Sequence, residues 1–155
     1  PLVSKAISQL LFHVTWDYLD ILLVDLPPGT GDIHLSLVEN AHIDGVIIVT
    51  TPHQVSLVDA AKGFRFFETF KTPIIGVINN MIGHPCPHCH EVTYIEDYQK
   101  VNSWAKERGT KIIGEIASFP ELANLITHEN KIEKNHLLRQ QLGKISTTLL
   151  NEVSL

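Results

Sequence analysis

An apolar run that ends in an aspartate and a rigid turn limits the folds open to this chain more than any other part of its sequence. Residues 21–32 read Ile-Leu-Leu-Val-Asp-Leu-Pro-Pro-Gly-Thr-Gly-Asp. An uninterrupted apolar run is typical of a strand buried on both faces, so we predict a strand over Leu19–Asp25. The two prolines and two glycines that follow predict a tight turn directly after it.

The strand-and-turn pattern also carries candidate chemistry. In phosphate-binding α/β proteins, an acid at the carboxyl end of a strand holds Mg²⁺ or its waters, and Asp25 stands at that position. A glycine just beyond, here Gly29, can bring its main-chain N–H against a phosphate because no Cβ blocks the approach. A strand, an aspartate and a Pro-Gly turn also occur together by chance, but the whole octapeptide Asp25–Asp32 favours the phosphate-binding interpretation. We expect Asp32 either to anchor this turn or to cap the helix after it.

The rest of the chain alternates between strands and helices. Continuous Val/Ile/Leu strands that alternate with helices predict an α/β fold, a parallel sheet with helices on both faces. Ligands of such sheets bind at the carboxyl ends of the strands, where Asp25, Thr50–Thr51 and Asn79–Asn80 fall. The predicted helices span Val3–Val14, Ile33–Asn40, Gln54–Phe70, Glu96–Arg108, Glu121–Thr127 and His136–Asn151, and the further strands span Gly45–Thr50, Pro73–Asn79 and Lys111–Ile116.

Length and charge narrow the classes of function. A length of 155 residues predicts one domain over residues 1–155. A net charge of −5 without a basic stripe argues against non-specific nucleic-acid binding, and no apolar run is long enough to span a membrane. The chain starts at Pro1, its one methionine is Met81, and it contains no Gly-x-x-x-x-Gly-Lys-[Ser/Thr] phosphate loop. We therefore expect the first half of the nucleotide-binding domain to be missing from this sequence.

The two cysteines, Cys86 and Cys89, leave four interpretations open. Two thiolates at this spacing can bind a metal or cluster shared between subunits, or a zinc ion held within one chain with help from His84, His88 or His90. The sequence Cys-Pro-His-Cys also occurs in thiol-disulfide oxidoreductases, which is the third interpretation. The fourth is c-type haem attachment, because Cys86–His90 fits the motif Cys-x-x-Cys-His. The pair follows a third strand and precedes a non-helical segment, whereas redox pairs open a helix. This placement favours the metal or cluster.

The order of these motifs resembles a known family. Asp25–Asp32, then Ile-Ile-Val-Thr-Thr-Pro over residues 47–52, then Asn80-Met81, then Cys86–Cys89 is similar to the Mrp/ApbC/Nbp35 family. Its members are deviant-Walker P-loop ATPases, related to MinD and ParA proteins, that carry iron-sulfur clusters. The resemblance implies a MinD/ParA-like P-loop fold whose phosphate loop would lie upstream of Pro1, so we expect residues 1–155 alone to show no ATPase activity.

The resemblance also implies roles for individual residues. Asp25 would lie near Mg²⁺ through water, and Gly29 would face the γ-phosphate of ATP in a turn shaped by Pro27, Pro28 and Thr30. Asn80 matches the asparagine that reads adenine. Cys86 and Cys89 would be ligands of a [4Fe-4S] cluster completed by the same pair of a second copy.

The function implied is that of an ATP-binding iron-sulfur cluster carrier or assembly scaffold. It would act as a homodimer through the cysteine region and pass its cluster to apo iron-sulfur proteins, without nucleic-acid or membrane partners. The expected location is the cytoplasm, with an organellar matrix as the alternative. Two other functions remain open: a zinc-binding structural or interaction module, and a MinD/ParA-like partitioning ATPase whose cysteines are incidental.

Overall fold

The structure, a computed structural model, describes residues 2–119 and 135–153. The predicted helix over Glu121–Thr127 lies outside the described residues. In chain order the elements are α1 (Leu2–Phe12), α2 (Asp32–Asn40), β1 (Val46–Thr50), α3 (Gln54–Thr69), β2 (Ile74–Asn80), β3 (Gly83–Pro85), β4 (Val92–Tyr94), α4 (Lys100–Glu107), β5 (Ile112–Ile116) and α5 (His136–Val153).

Three strands form a parallel sheet in the order β1-β2-β5. The middle strand β2 is apolar up to its last two residues and has four consecutive buried residues, as a strand covered on both faces should have. On one face, Val77 of β2 packs in a cluster with residues of α3 and α4, including Phe64 and Trp104. On the other face, Ile78 and Ile113 pack against Ile145 of α5. The predicted α/β class, a parallel sheet with helices on both faces, is confirmed.

Helix α5 lies unusually close to the sheet at Gly114. A Cβ built on this glycine would overlap Cγ1 of Ile145 and lie 2.6 Å from its Cδ1. Ile145 itself is buried, at 7% exposure. The absence of a side chain at position 114 therefore sets the separation between β5 and α5.

The strand predicted over Leu19–Asp25 is wrong for the structure described. Residues 21–27 pair with no strand in residues 2–119 and 135–153, although their apolar sequence favours one. Leu23 is 75% exposed and Val24 47%, whereas Leu26 packs against the cluster around Val77. A strand exists only when a neighbouring strand accepts its hydrogen bonds, and an apolar run alone supplies no neighbour.

Two predictions about helix ends also need correction. The N-cap of α2 is Gly31, with no side-chain cap bond, and Asp32 is the first helical residue. Its carboxylate lies in the first turn, where the helix dipole favours a negative charge. Helix α4 begins at Lys100 rather than Glu96, because the chain turns at Asp97, whose φ is 64°. The other predicted helices and strands that the structure describes lie within about two residues of their predicted bounds, which is the usual spread at fraying ends. The short strands β3 and β4 were not predicted.

Candidate nucleotide and thiol site

The carboxyl ends of β1 and β2 lie side by side. Thr50 of β1 is in register with Asn79 of β2, and Asn79 is in register with Glu115 of β5. Both Thr50 and Asn79 are buried, at 3% and 0% exposure. Buried polar residues at strand ends mark the edge where parallel sheets bind their ligands.

Asn80 ends β2 with its side chain turned back to the main chain. Its Oδ1 accepts a 2.9 Å hydrogen bond from the N–H of Met81, which has a φ of 58°. The side-chain amide nitrogen has no hydrogen-bond partner among the described residues. An amide donor left free at a strand end is available to an acceptor on a ligand.

The turn between β1 and α3 is closed by side chains. The Thr51 hydroxyl donates to Oγ of Ser56 at 2.8 Å and accepts from the N–H of His53 at 3.4 Å. His53 is the N-cap of α3, and its Nδ1 accepts from the N–H of Val55. The start of α3 is thus held firmly beside the end of β1.

The candidate phosphate turn lies on the surface. Asp25 is exposed and has no hydrogen-bond or ion-pair partner in the described part of the chain. Gly29 has a φ of 104°, a conformation that favours glycine, and no atom lies within 4 Å of a Cβ built there. Pro28 is also exposed. The carboxylate and the Gly29 main chain are therefore open to a ligand.

Both cysteines lie in the loop of a short hairpin formed by β3 and β4. The N–H of Cys86 donates to the carbonyl of Glu91 at 2.8 Å, and the N–H of His90 donates back to the carbonyl of Cys86 at 2.9 Å. His90 has a φ of 62°, which lets the chain reverse. Cys86 is half-buried, Cys89 is exposed, and both thiols are free.

Main-chain donors in the loop face the sulfur of Cys86. Hydrogen bonds from the N–H groups of Cys89 and His88, and then from the Cys89 thiol, lower the pKa of the Cys86 thiol. The thiolate is the form that binds soft metals and clusters, so this loop is suited to a metal or cluster. Among the described residues, no group of three or more His, Cys, Asp or Glu side chains is placed to hold a metal ion. His84, His88 and His90 therefore do not complete a metal site with the two thiols in the chain described.

Two contacts in this region were not predicted from the sequence. Gly83 lies where β3 meets β4, and the Asn79 side chain reaches the turn before α4. A glycine at the start of a short strand is a weak signal of close backbone approach. The Asn79 contact depends on a residue far along the chain and has no local signal.

No helix in residues 2–119 and 135–153 combines the length and the apolar character required to cross a bilayer. The described fold defines a class: a parallel α/β protein with a dithiol hairpin at the carboxyl edge of its sheet.

Comparison with known proteins identifies the family. The family model described as "ParA: NUBPL iron-transfer P-loop NTPase" matches residues 1–153, and the chain belongs to this family. The resemblance to cluster-carrying P-loop proteins is therefore confirmed.

Named relatives agree with this placement. The chain is 41% identical over 116 residues to an iron-sulfur protein required for NADH dehydrogenase from Arabidopsis thaliana, covering 75% of the chain and 37% of that protein. It is 45% identical over 117 residues to an iron-sulfur cluster carrier protein from Methanocaldococcus jannaschii, covering 75% of the chain and 40% of the relative. The chain thus spans well under half the length of these relatives.

Solved structures support the fold. A nucleotide-binding protein from Archaeoglobus fulgidus, solved with ADP, superposes with a TM-score of 0.68 at 35% identity, over 80% of this chain and 51% of that one. The MinD cell division protein of Aquifex aeolicus superposes with a TM-score of 0.61 at 22% identity, over 96% of this chain and 59% of that one, a likeness of fold alone.

Proposed function

We propose that this chain is the cluster-binding part of an ATP-dependent iron-sulfur carrier that passes a [4Fe-4S] cluster to apo-proteins. One observation carries the proposal. The thiols of Cys86 and Cys89 lie on a hairpin that continues directly from Asn80, the residue that ends the central strand. A site for the base of a nucleotide and a site for the cluster would then share one short stretch of main chain.

The cargo would be held between two copies of the chain. A [4Fe-4S] cluster takes four thiolates, and one chain supplies two. The exposure of Cys89 at the tip of the hairpin leaves its sulfur open to a second subunit. A two-fold axis through the cluster would complete the set with Cys86 and Cys89 of both copies.

The nucleotide would be held by the surface turn at Gly29 and by the carboxyl end of β2. Asp25 would bind Mg²⁺ through water, because its exposed carboxylate has no competing partner among the described residues. Gly29, in the turn that Pro28 helps to shape, would present its N–H to the terminal phosphate. Asn80 would donate its free side-chain amide to the adenine. Bound ATP and Mg²⁺ supply the charge that distinguishes the loaded from the empty state.

Two connections would transmit the change between the ATP-bound and the empty state to the rest of the protein. The turn at Gly29 leads directly into α2, whose His34 and Leu37 are buried. A shift of the turn would therefore move a packed helix. Asn80 leads through Met81 into the cysteine hairpin, so a change at the base would reach the thiols. Holding and release of the cargo would follow nucleotide state.

The test is anaerobic reconstitution with iron and sulfide, followed by absorbance, metal analysis and sizing. We expect the wild type to gain a broad band near ~400 nm and about four irons per dimer. Cys86→Ala/Cys89→Ala should lose both. His88→Ala is the matched control, since it changes the same loop while keeping both thiols and the main-chain N–H.

Two outcomes would overturn the proposal. A colourless monomer that retains one zinc ion would identify a structural zinc module instead. A cluster that persists in the double cysteine variant would place the ligands elsewhere.

A further inference from the structure

Gly83 is buried where three segments of main chain meet. It begins β3 and is in register with Tyr94 of β4. Its carbonyl accepts a 2.7 Å hydrogen bond from the N–H of Ser118, which follows β5. The residue before it, Ile82, donates to the carbonyl of Ile116 at 3.1 Å and accepts from the N–H of Ile95 at 3.0 Å. The base of the cysteine hairpin is thus fastened on both sides.

The position has no room for a side chain. A Cβ built on Gly83 would overlap the carbonyl oxygen of Thr93 and lie 2.8 Å from Cα of Tyr94. These are main-chain atoms, so no change of rotamer can relieve the contact. Any other residue would force β3 away from β4.

Such a displacement would reach the thiols. The hairpin has three register pairs, the last of which joins Pro85 to Val92. The next residue, Cys86, is fixed by its N–H to the carbonyl of Glu91. A strand of only three residues is too short to absorb a shift at its first position, so the shift would reach Cys86.

We propose that Gly83 is the positioning residue of the cysteine loop, and that its lack of a side chain holds Cys86 and Cys89 at the separation one metal centre requires. The residue acts through the hairpin and touches no cargo. The inference deepens the proposed function, on which its physiological meaning rests.

A cobalt titration of the metal-free chain tests this, with Co²⁺ itself as the probe and its thiolate charge-transfer absorbance as the signal. We expect Gly83→Ala to weaken Co²⁺ binding about tenfold or more, the effect of removing support around a metal ligand. Amide exchange at the N–H of Cys86 should accelerate. Exchange at the N–H of Val77, bonded to the carbonyl of Lys111 at 2.8 Å in the sheet, should not change.

Gly63→Ala is the matched control. Gly63 lies within α3, and no atom lies within 4 Å of a Cβ built there. This variant should bind Co²⁺ as the wild type does. Co²⁺ affinity of Gly83→Ala within twofold of the wild type, with Val77 still protected, would overturn the proposal.

A second pair of variants decides the matter if Gly83→Ala loses its fold. Ser118→Pro removes the N–H that donates to the Gly83 carbonyl, whereas Ser118→Ala keeps it. Weaker Co²⁺ binding in the proline variant alone supports positioning by this anchor, and equal binding in both contradicts it. Because Co²⁺ needs only the thiols, a failure of iron and sulfide reconstitution in the wild type would remove the cargo assignment and leave this result standing.

Discussion

The side-chain amide of Asn79 donates a 3.0 Å hydrogen bond to the main-chain carbonyl of Tyr98, nineteen residues further along the chain. Asn79 is fully buried at the end of the central strand, and its Oδ1 has no partner among the described residues. The bond ties the end of β2 to the turn that starts α4. Tyr98 in turn stacks on Tyr94 of the hairpin, with ring centroids 4.3 Å apart.

Asn79→Asp should destabilise the chain by about 1–3 kcal/mol at pH 7, because an ionised carboxylate cannot donate to the Tyr98 carbonyl and would be buried without a partner. Urea unfolding measures the change. Part of the loss should be recovered as the pH falls and the new carboxyl becomes protonated. Asn80→Asp is the control, since it keeps the acceptor for the Met81 N–H. Equal losses in the two variants would contradict this role for Asn79.

Stability should fall at mildly acidic pH because of His34. Burial against Phe66 and Phe67 lowers the pKa of this histidine below its ordinary value of 6.5. The unfolded chain therefore takes up a proton near pH 6.5 that the folded chain does not bind, and stability is lost as the pH falls from about 7 towards the lower folded pKa.

Unfolding measured from pH 8 to pH 5 checks this expectation. His34→Leu should show a shallower decline than the wild type across that window, whereas His88→Ala, which changes an exposed histidine, should follow the wild type. Identical slopes for His34→Leu and the wild type would rule out His34 as the source.

Gly114→Ala should cost about 1–3 kcal/mol of stability, because the new methyl group overpacks the contact between β5 and α5. Ile145→Ala removes both atoms that the methyl would meet, Cγ1 and Cδ1. The double variant should therefore be less destabilised than the sum of the two single variants, as a double-mutant cycle by chemical denaturation can measure. Simple additivity would show that α5 shifts freely from the sheet.

The unpaired segment around Leu23 should promote self-association. Tyr18 is fully exposed and Leu23 is 75% exposed, in a stretch with strong strand preference and no strand partner in the described residues. Leu23→Lys should lower the weight-average mass seen by sedimentation at high concentration. Val55→Lys adds the same charge at a 63% exposed position of α3 and should have little effect. Equal effects would attribute the change to net charge.

The sheet could be predicted because its signals are local. Each of β1, β2 and β5 is a short apolar run next to a turn, and the long helix α3 between the first two requires a parallel crossover. Burial on both faces then follows from the absence of alternation. The same local reasoning failed for Leu19–Asp25, because strand formation also depends on a neighbour that composition does not reveal.

The candidate site was likewise only partly predictable from the sequence. Asp25, Gly29, Asn80, Cys86 and Cys89 could be named from motif order and spacing. The anchoring of Gly83 and the bond from Asn79 to Tyr98 depend on residues brought together by the fold, so the sequence holds little trace of them. The Gly31 cap of α2 was missed because Asp32 is the commoner capping residue and stands one position away.

The fastening of the hairpin base has an evolutionary consequence. Five residues separate Asn80 from Cys86, and main-chain bonds from Ile82 and Gly83 to the segment after β4 and the end of β5 fix them in place. An inserted or deleted residue would invert the register and turn every following side chain to the opposite face. Descendants of this chain can replace side chains along the stretch except at Gly83, but they must keep its length.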